Sequence, residues 1–209
     1  MIVAADKKAV RLTRRLLPNN VFPPVMNRLL LFLPLLVTFG FQPGPTELDR
    51  LPAPTRQGLA TAGWLLNGHA HVPQRSARSA GNPVVGYWEK TAVGRSLSLS
   101  FRELSRDGNQ GVGLFLPDIR RAGTYALDRT GASINDVSNA AYGEYYRVRP
   151  LPDLNGFTGP DAPGQLVITR FDTVQHVVAG TFAMSLRPAG NGTPLVITHG
   201  RFDVHFTRR

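Results

Sequence analysis

Histidine is the residue of this sequence best suited to chemistry, and its spacing singles out two segments. His69 and His71 lie two apart, so on a strand both imidazoles project from one face and can offer two nitrogen ligands to one metal ion. His199, Arg201, Asp203 and His205 share one face of a second alternating segment, opposite Phe202, Val204 and Phe206. If the two segments lay side by side, His69, His71, Asp203 and His205 would make a four-ligand site, and the chain would be a metal-dependent hydrolase. A strand with a polar outer face produces the same alternation with no metal at all.

Other catalytic patterns are weaker. There is no Gly-x-Ser-x-Gly elbow, and the available acids, bases and hydroxyls have no triad spacing. Glu89, Glu103 and Glu144 offer carboxylates for glycoside hydrolysis, but any all-β domain offers as many. Gly108-Asn109-Gln110-Gly111-Val112-Gly113 reads as a turn entering a strand, not as a phosphate-binding loop that opens a helix. The absence of cysteine removes disulfides, thiolate metal sites and cysteine nucleophiles. No cofactor is expected, and the chain is read as non-catalytic. Aromatic residues give the better functional signal: Tyr145 and Tyr146 are adjacent, so on a strand one of them faces away from the core. Trp88, Tyr145 and Arg147 are the candidates for an exposed recognition surface, where rings stack on sugars or apolar ligands.

The elements that would carry these residues are strands. Ala62 to Leu66 is followed by Asn67-Gly68, the dipeptide that best accepts the positive φ angles of a type I′ turn, so His69 to Pro73 should fold back on it. Val84 to Glu89 follows, and then Ser96 to Arg102, where Leu97, Leu99 and Phe101 alternate with serines and an arginine. Gly111 to Leu116, Gly123 to Leu127, Tyr142 to Val148, Gly164 to Phe171, His176 to Leu186 and Leu195 to Phe206 continue the series. Residues 128–141 and 150–163 read as loops. About nine strands with turn signals between them predict an all-β domain, an antiparallel β-sandwich or an open or closed β-barrel. Ile168-Thr169-Arg170-Phe171-Asp172 is echoed by Ile197 to Asp203 with one residue inserted, which reads as two similar strands.

Ahead of the domain, Arg28 precedes the apolar run Leu29 to Phe39 and then Gly40, the order of a secretory signal too short to span a membrane. Residues 1–40 are therefore read as a leader, cleaved near Gly40, with Met26 favoured as its first residue. Residues 41–58, with Pro43, Pro45, Pro52 and Pro54, read as a Pro-rich tether, and residues 59–209 as one domain. The expected location is extracytoplasmic: periplasm, cell envelope or secreted. Half of the net charge of +10 lies in the first 28 residues, and the rest is almost all arginine, thinly spread. That distribution argues against a nucleic-acid partner. Membrane contact is expected only through an uncleaved signal segment, and the possible partners are an envelope glycan, a lipid or a protein.

Several stretches resemble a domain family of unknown function found among small exported lipoproteins of Bacteroidota. They are Thr46 to Gly58, Leu66-Asn67-Gly68 with Val72-Pro73, Leu166 to Asp172 with Ala179 to Phe182, and Ile197 to Val204. The resemblance implies a β-rich cell-envelope protein with no assigned activity. It covers both ends of the chain after the leader, and the middle matches only in being strand-rich. Where a lipoprotein would carry its acylated cysteine, this chain has Thr38-Phe39-Gly40-Phe41, so the lipid anchor cannot form. The expected role is a non-catalytic binding or accessory module; a closed barrel carrying a small apolar ligand is the alternative.

Overall fold

The computed structural model describes residues 44–75, 81–91, 94–104, 108–131, 140–148, 153–188 and 192–209. The expected leader lies outside them. They belong to one compact unit, Gln42–Arg209, and the regular structure among the described residues is strand apart from one 3-10 turn at Glu47–Arg50. The strands are β1 (Thr61–Leu66), β2 (His69–His71), β3 (Val84–Lys90), β4 (Arg95–Leu104), β5 (Asn109–Leu116) and β6 (Gly123–Leu127). They continue with β7 (Tyr142–Arg147), β8 (Leu154–Phe157), β9 (Gly164–Asp172), β10 (Val177–Pro188) and β11 (Leu195–Arg208).

All eleven are hydrogen-bonded in the order β2-β1-β11-β3-β4-β5-β7-β8-β10-β9-β6, with β11 also paired to β10. The molecule is best followed as two layers, β2-β1-β11-β10-β9-β6 and β3-β4-β5-β7-β8. They are joined where the long strands β10 and β11 pass from one layer to the other. Residues 195–205 of β11 pair with β10, and its last residues Phe206 to Arg208 pair with β3. Val177 to Met184 of β10 pair with β9, and Arg187 and Pro188 pair with β8. The result is a sandwich closed at two corners and not a regular barrel. The β11–β3 pairing is parallel, a departure from the purely antiparallel arrangement expected.

Local sequence explains the register. Asn67 and Gly68 have φ of 49° and 87°, the paired left-handed conformations of the expected hairpin turn, and Trp64 to Leu66 pair with His71 to His69. Leu97, Leu99 and Phe101 of β4 are fully buried while Ser98, Ser100 and Arg102 are not. The residue inserted in the second echo is a β-bulge: the partners of both β1 and β10 slip by one across residues 198–200, and His199 has a φ of 53°. β9 carries its own slip beside Thr169.

Two expectations are corrected here. Of the expected tether, 41–58, the described part 44–58 packs on the domain: Leu51 is buried, and Thr55, Gln57, Gly58 and the following Leu59 hydrogen-bond to Asp203 of β11, so the domain begins before residue 59. The stretch read as a loop at 150–163 contains β8, whose Leu-Asn-Gly-Phe sequence is too short to show a period.

Between the layers the core is filled by rings. Phe101 of one layer stacks on Phe182 and Phe202 of the other at centroid distances of 6.0 and 5.6 Å. Leu97 and Leu99 belong to the same buried cluster.

Candidate functional site

At one end of the sandwich the inward faces turn polar. Two residues beyond Phe101 stands Glu103, two before Val112 stands Gln110, and two beyond Tyr145 stands Arg147. β2 brings His71 to the same place. His71 Nδ1 lies 2.9 Å from Glu103 Oε2, and Gln110 Nε2 donates to that same oxygen at 2.8 Å. Gln74 Nε2 donates to Glu103 Oε1 at 3.1 Å, and the Tyr145 hydroxyl donates to Gln110 Oε1 at 2.7 Å. Trp64 stacks on the imidazole at 5.9 Å.

This network fixes the tautomer. The His71 side chain is 19% exposed and Glu103 20%. The hydrogen bond from His71, with those from Gln110 and Gln74, holds the Glu103 carboxyl below the usual carboxylate range despite its burial. An ionised carboxylate accepts only, so Nδ1 must carry a proton. The 3.1 Å contact of Gln110 Nε2 with Nδ1 is then two donors converging on one oxygen. Burial pushes the Tyr145 hydroxyl up, keeping it a donor. Arg147 Nε is buried with no hydrogen-bond partner. Among the described residues no hydroxyl nucleophile bonds to His71, so the arrangement orients an imidazole without supplying a group for it to activate.

The expected metal quartet is not assembled. His69 is opposite Leu66 at one end of β1, whereas Asp203 is opposite Thr61 at the other. His71 is committed to Glu103, and His205 is exposed opposite Val177. Among the described residues no group of three or more His, Cys, Asp or Glu could hold a metal ion.

Asp203 has a different task. Its buried carboxylate accepts from Thr55 Oγ1 at 2.6 Å and from the backbone N–H groups of Gln57, Gly58 and Leu59 at 2.9, 2.6 and 3.2 Å. Burial raises its proton affinity, but these four donors outweigh burial and hold it below the usual carboxylate range. The carboxylate thereby clamps the segment 44–60 against the outside of β11. Arg201 adds a longer contact from Nη2 to the Leu48 carbonyl at 3.4 Å.

That clamped segment walls a groove of about 440 Å³ on the outer face of the β11-β10-β9 layer. Leu48 and Pro54 form the wall, Val167, Thr181 and Ala183 the floor, and His199 and Arg201 the cationic and hydrogen-bonding side. The bulge places His199 here: the extra residue turns Thr198 and His199 both away from the core before Gly200 resumes the inward face.

Of the residues expected on an exposed recognition surface, two are core. Trp88 is 8% exposed, packed edge-on against both Phe171 and Phe206, and Tyr145 is 1% exposed. Tyr146 is the outward member of the tyrosine pair, and Arg147 is half-buried. Gln110 was missed by sequence reasoning, and Glu103 was seen only as a spare carboxylate. The signal for both was the inward alternation of β4 and β5, carried one step past the apolar residues. No family model, curated protein or solved structure matches this chain.

Proposed function

We propose that the chain is a non-catalytic binding or accessory module of the cell envelope, acting outside the cytoplasm, with its ligand in the groove beside His199 and Arg201. The observation that carries this reading is the groove itself. Its volume of about 440 Å³ is in the small-molecule range, its walls are mostly apolar, and Arg201 and His199 stand at one side. Such a lining favours a small amphiphile with an apolar tail and a carboxylate or other acceptor head. It offers no exposed aromatic ring for a sugar to stack on. Filling of the interlayer space by Phe101, Phe182 and Phe202 supports binding on this outer face over carriage inside a barrel. The apolar run behind Arg28 supports export.

The test is a thermal-shift titration with medium-chain fatty acids on the chain and on Ala183→Trp, which fills the groove floor from an exposed position. A ligand at about 100 times its Kd contributes about 2.7 kcal/mol, a rise of roughly 5–10 °C for a domain of this size. The rise is expected in the parent and not in the variant. An equal rise in both, or none in either, rejects the groove as the binding place.

A further inference from the structure

The arginines that look scattered along the sequence are gathered by the fold at one end. β3 ends at Lys90 and β4 starts at Arg95, paired to each other across their turn. Ile119 N–H bonds to the Arg95 carbonyl, which brings Arg120 and Arg121 alongside. Arg208 pairs with Trp88, and Arg209 N–H bonds to the Trp88 carbonyl. Phe206 N–H bonds to the His176 carbonyl, so the turn at residues 173–176 lies beside the same strand end.

Most of this charge is uncompensated. Arg120 is paired with Asp118 at 3.0 Å, and Glu89 also lies here, but Lys90, Arg95, Arg121, Arg208 and Arg209 have no ion-pair partner among the described residues. Three of them rest on rings: Arg95 and Arg208 cover Trp88 at 4.6 and 5.6 Å, and Arg209 covers Tyr87 at 3.7 Å. The Trp88 indole N–H is buried there without a partner. Projecting from the same end is Val174, 89% exposed, with Leu59, 53% exposed, on the neighbouring segment.

We propose that this end of the sandwich docks peripherally on an anionic lipid bilayer, with the Arg-rich rim at the headgroups and Val174 entering the interface. A basic rim alone fits any polyanion. An exposed valine at the tip of that rim favours a surface with an apolar layer behind its charges. Docking of this kind is separate from the groove and does not depend on its ligand.

The absence of cysteine from the chain makes a direct test available. An environment-sensitive dye is placed on the full chain at Val174→Cys, or at Arg187→Cys, an exposed position on β10 at the opposite end. Each is titrated with phosphatidylcholine vesicles with and without phosphatidylglycerol. The dye at 174 should shift to the blue with the anionic vesicles alone, and the dye at 187 should not respond. Each basic side chain near the surface contributes about fivefold in partitioning, so adding Arg121→Gln, Arg208→Gln and Arg209→Gln should raise the half-saturating lipid concentration at least about tenfold. Added salt should weaken binding of the parent, since the attraction is screened over about 10 Å at 0.1 M. An equal response at both positions, a response to neutral vesicles, or no effect of the triple variant overturns the proposal. Tight binding of heparin with no vesicle response at 174 overturns it in favour of a soluble polyanion.

Discussion

His71 Nδ1 and Glu103 Oε2 stand 2.9 Å apart although the residues come from different layers of the sandwich, and Gln110 shares the same carboxylate oxygen. Glu103→Ala leaves the His71, Gln110 and Gln74 donors without their acceptor and should cost about 1–3 kcal/mol in urea unfolding. The folded pKa of Glu103 lies below its unfolded value, so its contribution is present above the ordinary carboxylate range and is lost as pH falls through the folded pKa. The stability gap between parent and Glu103→Gln should therefore close as pH is lowered from about 6 to about 3. A gap that stays constant would show that the pair contributes nothing electrostatic.

Asp203→Ala removes the acceptor of four hydrogen bonds and leaves backbone donors of residues 57–59 without it. A loss of about 2–4 kcal/mol is expected, with release of the groove wall. Limited proteolysis checks the second effect: cleavage between residues 50 and 58 should appear in the variant before global unfolding.

The Phe182 ring lies 2.6 Å from where a Cβ on Gly200 would stand, and that ring is 3% exposed and stacked on Phe101. Gly200→Ala should cost about 1–3 kcal/mol through overpacking. Gly68, in the hairpin turn, has open space around the same point but a φ of 87°. Gly68→Ala should cost only the backbone strain, about 1 kcal/mol. Denaturant midpoints of the two variants separate these mechanisms.

Tyr145→Ala should destabilise by about 3–5 kcal/mol, as a large buried ring does. Tyr145→Phe removes only the hydroxyl bond to Gln110 and should cost about 0.5–1.5 kcal/mol. If both variants stayed within a few tenths of the parent, the buried position of this residue would be wrong.

The strands were legible because their chemistry is local. Alternation at Leu97, Leu99 and Phe101, and the Asn67-Gly68 turn, announce themselves within a few residues. β8 was not legible, since four residues with a central glycine carry no period and the strand exists only because β7 and β10 flank it. Trp88 and Tyr145 looked available for recognition because sequence cannot say which of two adjacent aromatic residues the other layer will cover. Asp203 was misread for a related reason: a carboxylate beside histidines suggests a ligand, while its actual donors come from residues 144 to 148 positions earlier in the chain. The basic end was invisible in composition, because its charges are dispersed between residues 90 and 209 and meet only at strand ends.

β11 holds three other strands. β11 takes β1 along one edge, β10 along the other and β3 at its tip, so the two layers share no closed arrangement until residues 195–208 have been synthesised. β1 and β3 must wait, each with one edge unpaired, for a partner made more than a hundred residues later. Contacts this distant in sequence slow folding and expose edges to aggregation. Under the export proposed above, the same delay is useful: the domain stays threadable until β11 has emerged on the far side.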